Sequence, residues 1–274
     1  MNLEEYQLLT CFSYYNETRN EITFVGMKKG ESSEYFSGVQ LVAINADSYG
    51  VTQEKFIPFA EDLVKKTNLF YGLSKSPSGQ LPSELIFIDL KESKDGAAYL
   101  VWQFFKDKSY TRQSASAPRT RNEVRMNNMM NKVTIMEYGP LLILGLDNKL
   151  NQKWMNFVPS LIQEMTEFRM MKPFLKIIDE KLHVYYNENR EVVNAGFNVT
   201  ERQKSKDLYS TCPVDLIVEP DGKMSRKAIG DEKLIGKRVL YNDLGEDQFI
   251  EKNVYFLILS HKMLARPEFI RITY

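Results

Sequence analysis

The stretch from Gly230 to Tyr274 constrains the fold more than any other part of this chain. Three strand-forming runs follow one another there: one ending at Gly236, Lys237, Arg238 and Val239, one over Asn253–His261, and one over Pro267–Tyr274. Aromatic and β-branched residues dominate the last two, and apolar positions alternate as they do in half-buried strands. A chain that closes on a strand tucks it into a sheet, a barrel or a neighbour. The expectation is a C-terminal region that is β-barrel-like.

The same reading extends upstream. Tyr6–Tyr15 and Glu21–Met27 read as a hairpin around a polar turn, and Gly38–Asn45 as a third strand. Glu84–Lys91 and Ala97–Phe105 read as a second hairpin, closed by Ser93-Lys-Asp-Gly96, and their long apolar runs place them centrally in a sheet. A first helix is expected after Thr52 as its cap, with Phe56, Phe59, Ala60, Leu63 and Val64 on one face. A second is expected over Pro159–Met171, with Leu161, Met165 and Phe168 on one face, continuing beyond Pro173 over Phe174–Glu180. Val133–Tyr138 and Leu141–Leu146 read as strands around Gly139-Pro140. Lys181–Tyr186 and Glu191–Ala195 read as a hairpin around Asn187-Glu-Asn189, and Val214–Val218 as a strand before a Pro220-Asp-Gly222 turn. The fold class is therefore α+β, mainly antiparallel β sheets with two or three helices. The clearest break is Gln113–Arg121, which is small, polar and basic. It suggests an N-terminal β-rich domain over 1–112, a loop or linker over 113–131, and a helix-plus-barrel domain over 132–274.

Composition narrows the function classes. Lys plus Arg number 36 and Asp plus Glu 36, so the formal net charge is zero. A general nucleic-acid binder draws its affinity from phosphate neutralisation and carries a basic excess. Near-zero net charge instead favours association. The 2 cysteines, Cys11 and Cys212, give neither a disulfide framework nor zinc spacing. They read as small buried apolar residues in a reducing compartment. With only 2 histidines, His183 and His261, a His-rich metal site is impossible. The N-terminus carries acid where a signal peptide needs base, and no window approaches the roughly 20 apolar residues of a membrane span. The expected location is the cytoplasm of a host, or a virion.

Each motif has a plain reading beside a functional one. Asp89-Leu-Lys91 on a strand is half of a metal-dependent nuclease core, which needs a second carboxylate such as Glu61 or Asp62 to share a divalent ion. The plain reading is a strand with charged ends. Arg119, Arg121 and Arg125, with Lys132 nearby, could meet phosphate; the plain reading is a solvated loop or an interface anchor. His183 and His261 read as half-buried strand histidines. Asn16-Glu-Thr18 and Asn198-Val-Thr200 match the glycosylation sequon and read as chance matches. Methionines concentrated in the middle of the chain suit core packing or an adaptable interface.

One segment resembles a known family. Gly230, Asp231, Leu234, Gly236 and Val239, then Tyr255, Phe256, Ile258, Ser260 and His261, then Phe269, Ile270 and Ile272 resemble the last barrel of the baseplate hub proteins of contractile phage tails and related injection machines. The resemblance implies a trimeric structural protein that adapts the tail tube to the central spike, with no catalysis and no cofactor. Lys237, Arg238, Arg266 and Arg271 would then sit on barrel faces or at subunit contacts. The expected function is that of a structural or interaction protein of a virion or tail-like assembly. Its partners would be further copies of itself and other assembly proteins. The expected interface comprises Arg119, Arg121 and Arg125 on the loop, and Phe269, Ile270, Arg271 and Tyr274 on the terminal strand. The alternatives are a monomeric protein-binding adaptor of a bacterial defence or conjugation system, and a metal-dependent nuclease using Asp89 and Lys91.

Overall fold

A computed structural model describes residues 8–17, 19–32, 34–71, 77–108, 110–111, 132–133, 135–164, 173–198, 206–207, 211–229, 237–240, 253–260 and 268–273. The described chain is built from antiparallel sheets, as the fold class requires. Sheet I runs β1 (Leu8–Asn16), β2 (Glu21–Lys29), β3 (Tyr35–Asn45) and β4 (Val51–Pro58) in spatial order. Helix α1 (Glu61–Tyr71) follows, then the short β5 (Leu81–Pro82), which pairs with the start of β3. Sheet II is made by β6 (Leu85–Glu92), β7 (Ala98–Asp107), β10 (Met136–Leu146) and β11 (Gln152–Val158), paired in that order. Between them lie β8 (Tyr110–Thr111) and β9 (Lys132–Val133), which pair with each other. β12 (Ile162–Glu164) extends β10 at its other end and takes β15 (Lys206–Asp207) in parallel.

Sheet III runs β13 (Phe174–Ile178), β14 (Lys181–Asn189), β16 (Thr211–Val218) and β17 (Met224–Ala228), with helix α2 (Arg190–Ala195) after β14. Sheet IV is β18 (Lys237–Leu240), β19 (Asn253–Ser260) and β20 (Glu268–Thr273).

Sheets I, II and III stack face to face, and period-2 side chains explain how. On sheet II, Ala98, Leu100, Trp102, Phe104, Leu142 and Leu144 point to sheet I, where they bury Val25, Met27, Val39, Leu41 and Ala43. The alternate residues Tyr99, Val101, Leu141 and Ile143 point to sheet III and bury Leu182, Val184, Val214 and Leu216. That two-sided burial is why β7 and β10 read as unbroken apolar runs. Like positions meet like. Phe12 of β1 stacks on Phe87 of β6 at 3.5 Å between centroids, and β6 runs beside β13.

Several expectations need correction. Sheet IV is an open antiparallel sheet, and no closed barrel is formed among the described residues. Thr52 to Pro58 is strand β4, so the helix starts later, at Glu61. The expected second helix is not found where described: Ile162–Glu164 is a strand, Phe174–Ile178 is a strand, and 165–172 lie outside the described residues. β14 takes its hairpin partner from β13, while Arg190–Ala195 is a short helix. Asn189 caps it, its side chain accepting from the Glu191 amide at 2.8 Å, and Gly196 ends it at φ 76°. Gly139-Pro140 does not break the chain; β10 passes through it with a register shift between Tyr138 and Leu141. The segment 113–131 does not separate two sheets, because β7 before it and β10 after it are neighbours in sheet II. Cys11 is exposed, whereas Cys212 is buried as expected.

Candidate interaction surface

Sheet I has two faces and only one of them is covered by sheet II. Phe12, Tyr14, Val25, Met27, Val39, Leu41 and Ile57 face inward. Their neighbours face out, and the register aligns them in rows. Tyr15 lies opposite Ile22, Ile22 opposite Ile44, and Ile44 opposite Val51, so one apolar row crosses all four strands. The next row is Ser13, Phe24, Val42 and Glu54; the next is Cys11, Gly26, Gln40 and Phe56. Tyr15 is 52% exposed, Val51 54% and Phe56 43%, and Tyr49 in the adjoining turn is 74% exposed. Ile22, Phe24 and Ile44 are half-buried, with Val42 buried between them. Scattered exposed apolar residues are ordinary; a row across a sheet is a patch.

The patch is held in shape by polar contacts at its border. The Tyr15 hydroxyl donates to Asn20 Oδ1 at 2.8 Å, and Asn20 Nδ2 donates to Asp47 Oδ2 at 2.7 Å, tying the β1–β2 turn to the β3–β4 turn. Asn45 Oδ1 accepts from the Asp47 and Ser48 amides at 3.1 and 2.9 Å, which shapes the turn that carries Tyr49. On the other side Lys28 Nζ sits 4.8 Å from the Phe56 ring centroid, and Gln40 Nε2 donates to Glu54 Oε1 at 3.2 Å. These contacts hold Tyr15 and Phe56 and shape the two turns at the border of the row.

The layer between sheets II and III is closed at one end by a buried polar cluster. Arg226 of β17 donates from Nη1 to the Pro159 carbonyl at 3.1 Å and from Nη2 to the Val192 and Gly196 carbonyls. It thereby clamps α2 to the end of sheet II. Glu188 of β14 is fully buried, and its Oε1 accepts from the Asn189 amide at 2.7 Å. Among the described residues Glu188 Oε2, Ser160 Oγ, Tyr186 Oη and Arg226 Nε have no partner at hydrogen-bond distance. Burial pushes the Glu188 carboxyl up to about 7, against the nearby Ser160 hydroxyl, the Asn189 amide and the Arg226 guanidinium, which pull it down. Burial also raises the Tyr186 phenol. Ser160 is 1% exposed and Tyr186 2%, so a solute reaches Glu188 only if the sheets part.

The motifs singled out in the sequence fall in separate places. Asp89 pairs with its own neighbour Lys91 at 3.3 Å, while Glu61 and Asp62 pair with Lys65 and Lys66 on the exposed side of α1. Among the described residues no group of three or more His, Cys, Asp or Glu side chains is placed to hold a metal ion. His183 is buried rather than half-buried, its Nδ1 lying 3.0 Å from Asp215 Oδ1, with Lys227 Nζ 3.7 Å from Asp215 Oδ2. Asn16 is 1% exposed and donates to Glu92, so folding hides its sequon. Arg119, Arg121, Arg125, His261 and Tyr274 lie outside the described residues. Phe269, Ile270 and Arg271 belong to β20, the outer strand of sheet IV.

The outward row of sheet I escaped the sequence reading, although a signal was present. Val39–Ile44 is apolar at both parities apart from Gln40, which is the mark of a strand with two apolar faces. Glu188 was read as part of a turn and is instead the buried end of a strand.

No family model matches the chain, and no curated protein matches it. Among solved structures, a match is found to extracellular domains 1–2 of Drosophila semaphorin 1a, at 7% identity and a TM-score of 0.27. The match covers 98% of this chain and 53% of that one, so the chain spans about half of that structure. A likeness of this degree carries no argument about fold or function.

Proposed function

We propose that this chain is a structural or interaction protein that works by contact between folded surfaces rather than by catalysis, and that the outward face of sheet I is its contact surface. The observation that carries the reading is the apolar row Tyr15, Ile22, Ile44 and Val51, exposed at its two ends and half-buried at its centre. Hydrophobic side chains held in one conformation lose little entropy on binding, which is what an interface core requires. The titratable cluster at Glu188 is enclosed between sheets II and III, away from solutes. The strand β20, at the edge of sheet IV, adds a second surface, since an edge offers backbone groups for pairing. A subunit of a virion or tail-like assembly is the setting that the terminal segment's resemblance implies.

The test is photo-crosslinking in the cells that naturally make the protein. A benzophenone amino acid replaces Tyr49, which is exposed and sits in the turn beside the row. A discrete protein adduct is expected. Its absence, alongside a normal level of folded protein, would contradict the reading.

A further inference from the structure

We infer that the occupant of the outward face of sheet I is a second copy of this chain, seated sheet on sheet about a two-fold axis. The inference rests on the interaction reading above and names the partner for that same face.

The molecule shows what covers such a face. Both faces of sheet II carry apolar rows across β6, β7 and β10, and each is covered by another antiparallel sheet of the same chain. The outward face of sheet I presents one apolar row of the same width, beside rows that mix Phe24, Val42 and Phe56 with Ser13, Gln40 and Glu54, and a second sheet is the cover that fits it. Sheet I itself is one. A two-fold axis makes the contact isologous, so a row on the axis meets its own copy, and the row Tyr15, Ile22, Ile44 and Val51 is uncharged from edge to edge. The charges beside it are of both signs, Lys28 on β2 and Glu54 on β4, so pairing two copies gathers no block of like charge. A formal net charge of zero leaves little long-range repulsion between copies.

The area sets the strength. Four strands spaced about 4.8 Å apart, overlapping for about 8 residues of about 3.3 Å each, give a face of about 500 Å². Two such faces bury about 1,000 Å² together, the lower bound for a specific interface. A dimer at that lower bound is a weak one that concentration populates.

Sedimentation equilibrium of the purified full chain from about 1 to 100 µM tests this. The weight-average mass should climb from one chain toward two, where one chain is 31.9 kDa. Val51→Asp should hold the mass at that of one chain throughout, with an unchanged circular dichroism spectrum. Tyr49→Asp provides a second variant in case Val51→Asp misfolds, since Tyr49 is at φ 55° in a turn, a conformation Asp accepts. It should weaken association at least tenfold. A wild-type mass of one chain at every concentration would overturn the inference, as would a dimer that both variants leave intact. If the mass stays at one chain while the crosslinker at Tyr49 captures a different protein, the second copy is wrong and the interaction reading stands. If neither experiment finds a partner, both fall.

Discussion

The far face of sheet III carries His183, Tyr185 and Asp215, each at most 3% exposed, while the far face of sheet I carries Tyr15, Val51 and Phe56, each at least 43% exposed. These are the two outer faces of the same three-sheet stack. On sheet III the buried groups are polar and matched, His183 against Asp215, and β18 runs beside β16. On sheet I the exposed large apolar groups are Tyr15, Val51 and Phe56, and the Tyr15 hydroxyl is bonded to Asn20. Burial of a polar face needs partners within the fold, because an unmatched buried charge is costly. An apolar face needs only cover. One outer face is lined by buried polar groups beside the chain's own β18, and the other turns large apolar side chains to solvent.

The largest effect is expected inside the stack. Trp102 is 1% exposed in the layer between sheets I and II. Trp102→Ala should cost about 3–5 kcal/mol and lower the thermal midpoint by roughly 10 °C. A loss below about 1 kcal/mol in chemical denaturation would mean that sheet I is not held by sheet II as described.

The next effect is a pH dependence at the other layer. Folding raises the Glu188 carboxyl to about 7 from its ordinary 4.5. A group raised by folding contributes its full stability below its unfolded value and loses it as pH rises through the folded value. The stability supplied by neutral Glu188 is therefore present near pH 4.5 and falls through pH 7, by about 3 kcal/mol in all. Urea titrations from pH 5 to pH 8 should show that fall, and Glu188→Gln should flatten it. An unchanged slope in the variant would remove Glu188 as the cause.

A smaller effect probes how closely sheets II and III approach. Trp154 lies over both Gly145 of β10 and Gly222 of the β16–β17 turn, where a Cβ would overlap its indole. Its Nε1 donates to the Pro220 carbonyl at 3.1 Å. Gly145→Ala should cost about 1–3 kcal/mol by forcing the indole aside, with a matching change in tryptophan fluorescence. Stability and emission both unaltered would contradict that packing. The smallest effect on stability belongs to the exposed face. Val51→Asp should shift the unfolding free energy of the single chain by no more than about 0.5 kcal/mol, measured at low concentration. A large loss there would mean that the face is already part of the core.

The sequence carried the hairpins well, because their turns carry strong local chemistry. Ser93 to Gly96 closes β6 and β7 with Gly96 at φ 81°, and Pro220-Asp-Gly222 closes β16 and β17 with Gly222 at φ 89°. The terminal strands were legible from their aromatic and β-branched runs, but their closure into a barrel was not theirs to specify, since closure is set by partners distant in sequence. β4 hides from a sequence reading because its inward positions Gln53 and Lys55 are polar, so its alternating burial does not show as alternating hydropathy. Its conformation comes from pairing with β3. The Pro159–Met171 periodicity misled because Leu161 and Ile162 are adjacent and both buried, which suits a strand end between two layers as well as a helix face. The contact face itself was half legible: its residues alternate with core residues, yet only the register between four strands lines them up as a row.

The most direct measurement uses Cys11, which lies on the outward face of sheet I in the row of Gly26, Gln40 and Phe56 and is exposed, while Cys212 is buried. The reaction rate of the Cys11 thiol with a disulfide reagent is followed as the protein is concentrated from about 1 to 100 µM, with Val51→Asp alongside. The account expects the wild-type rate per thiol to fall several-fold as the face becomes covered, and the variant's rate to stay constant. A wild-type rate independent of concentration would contradict the claim that this face is where copies of the chain meet.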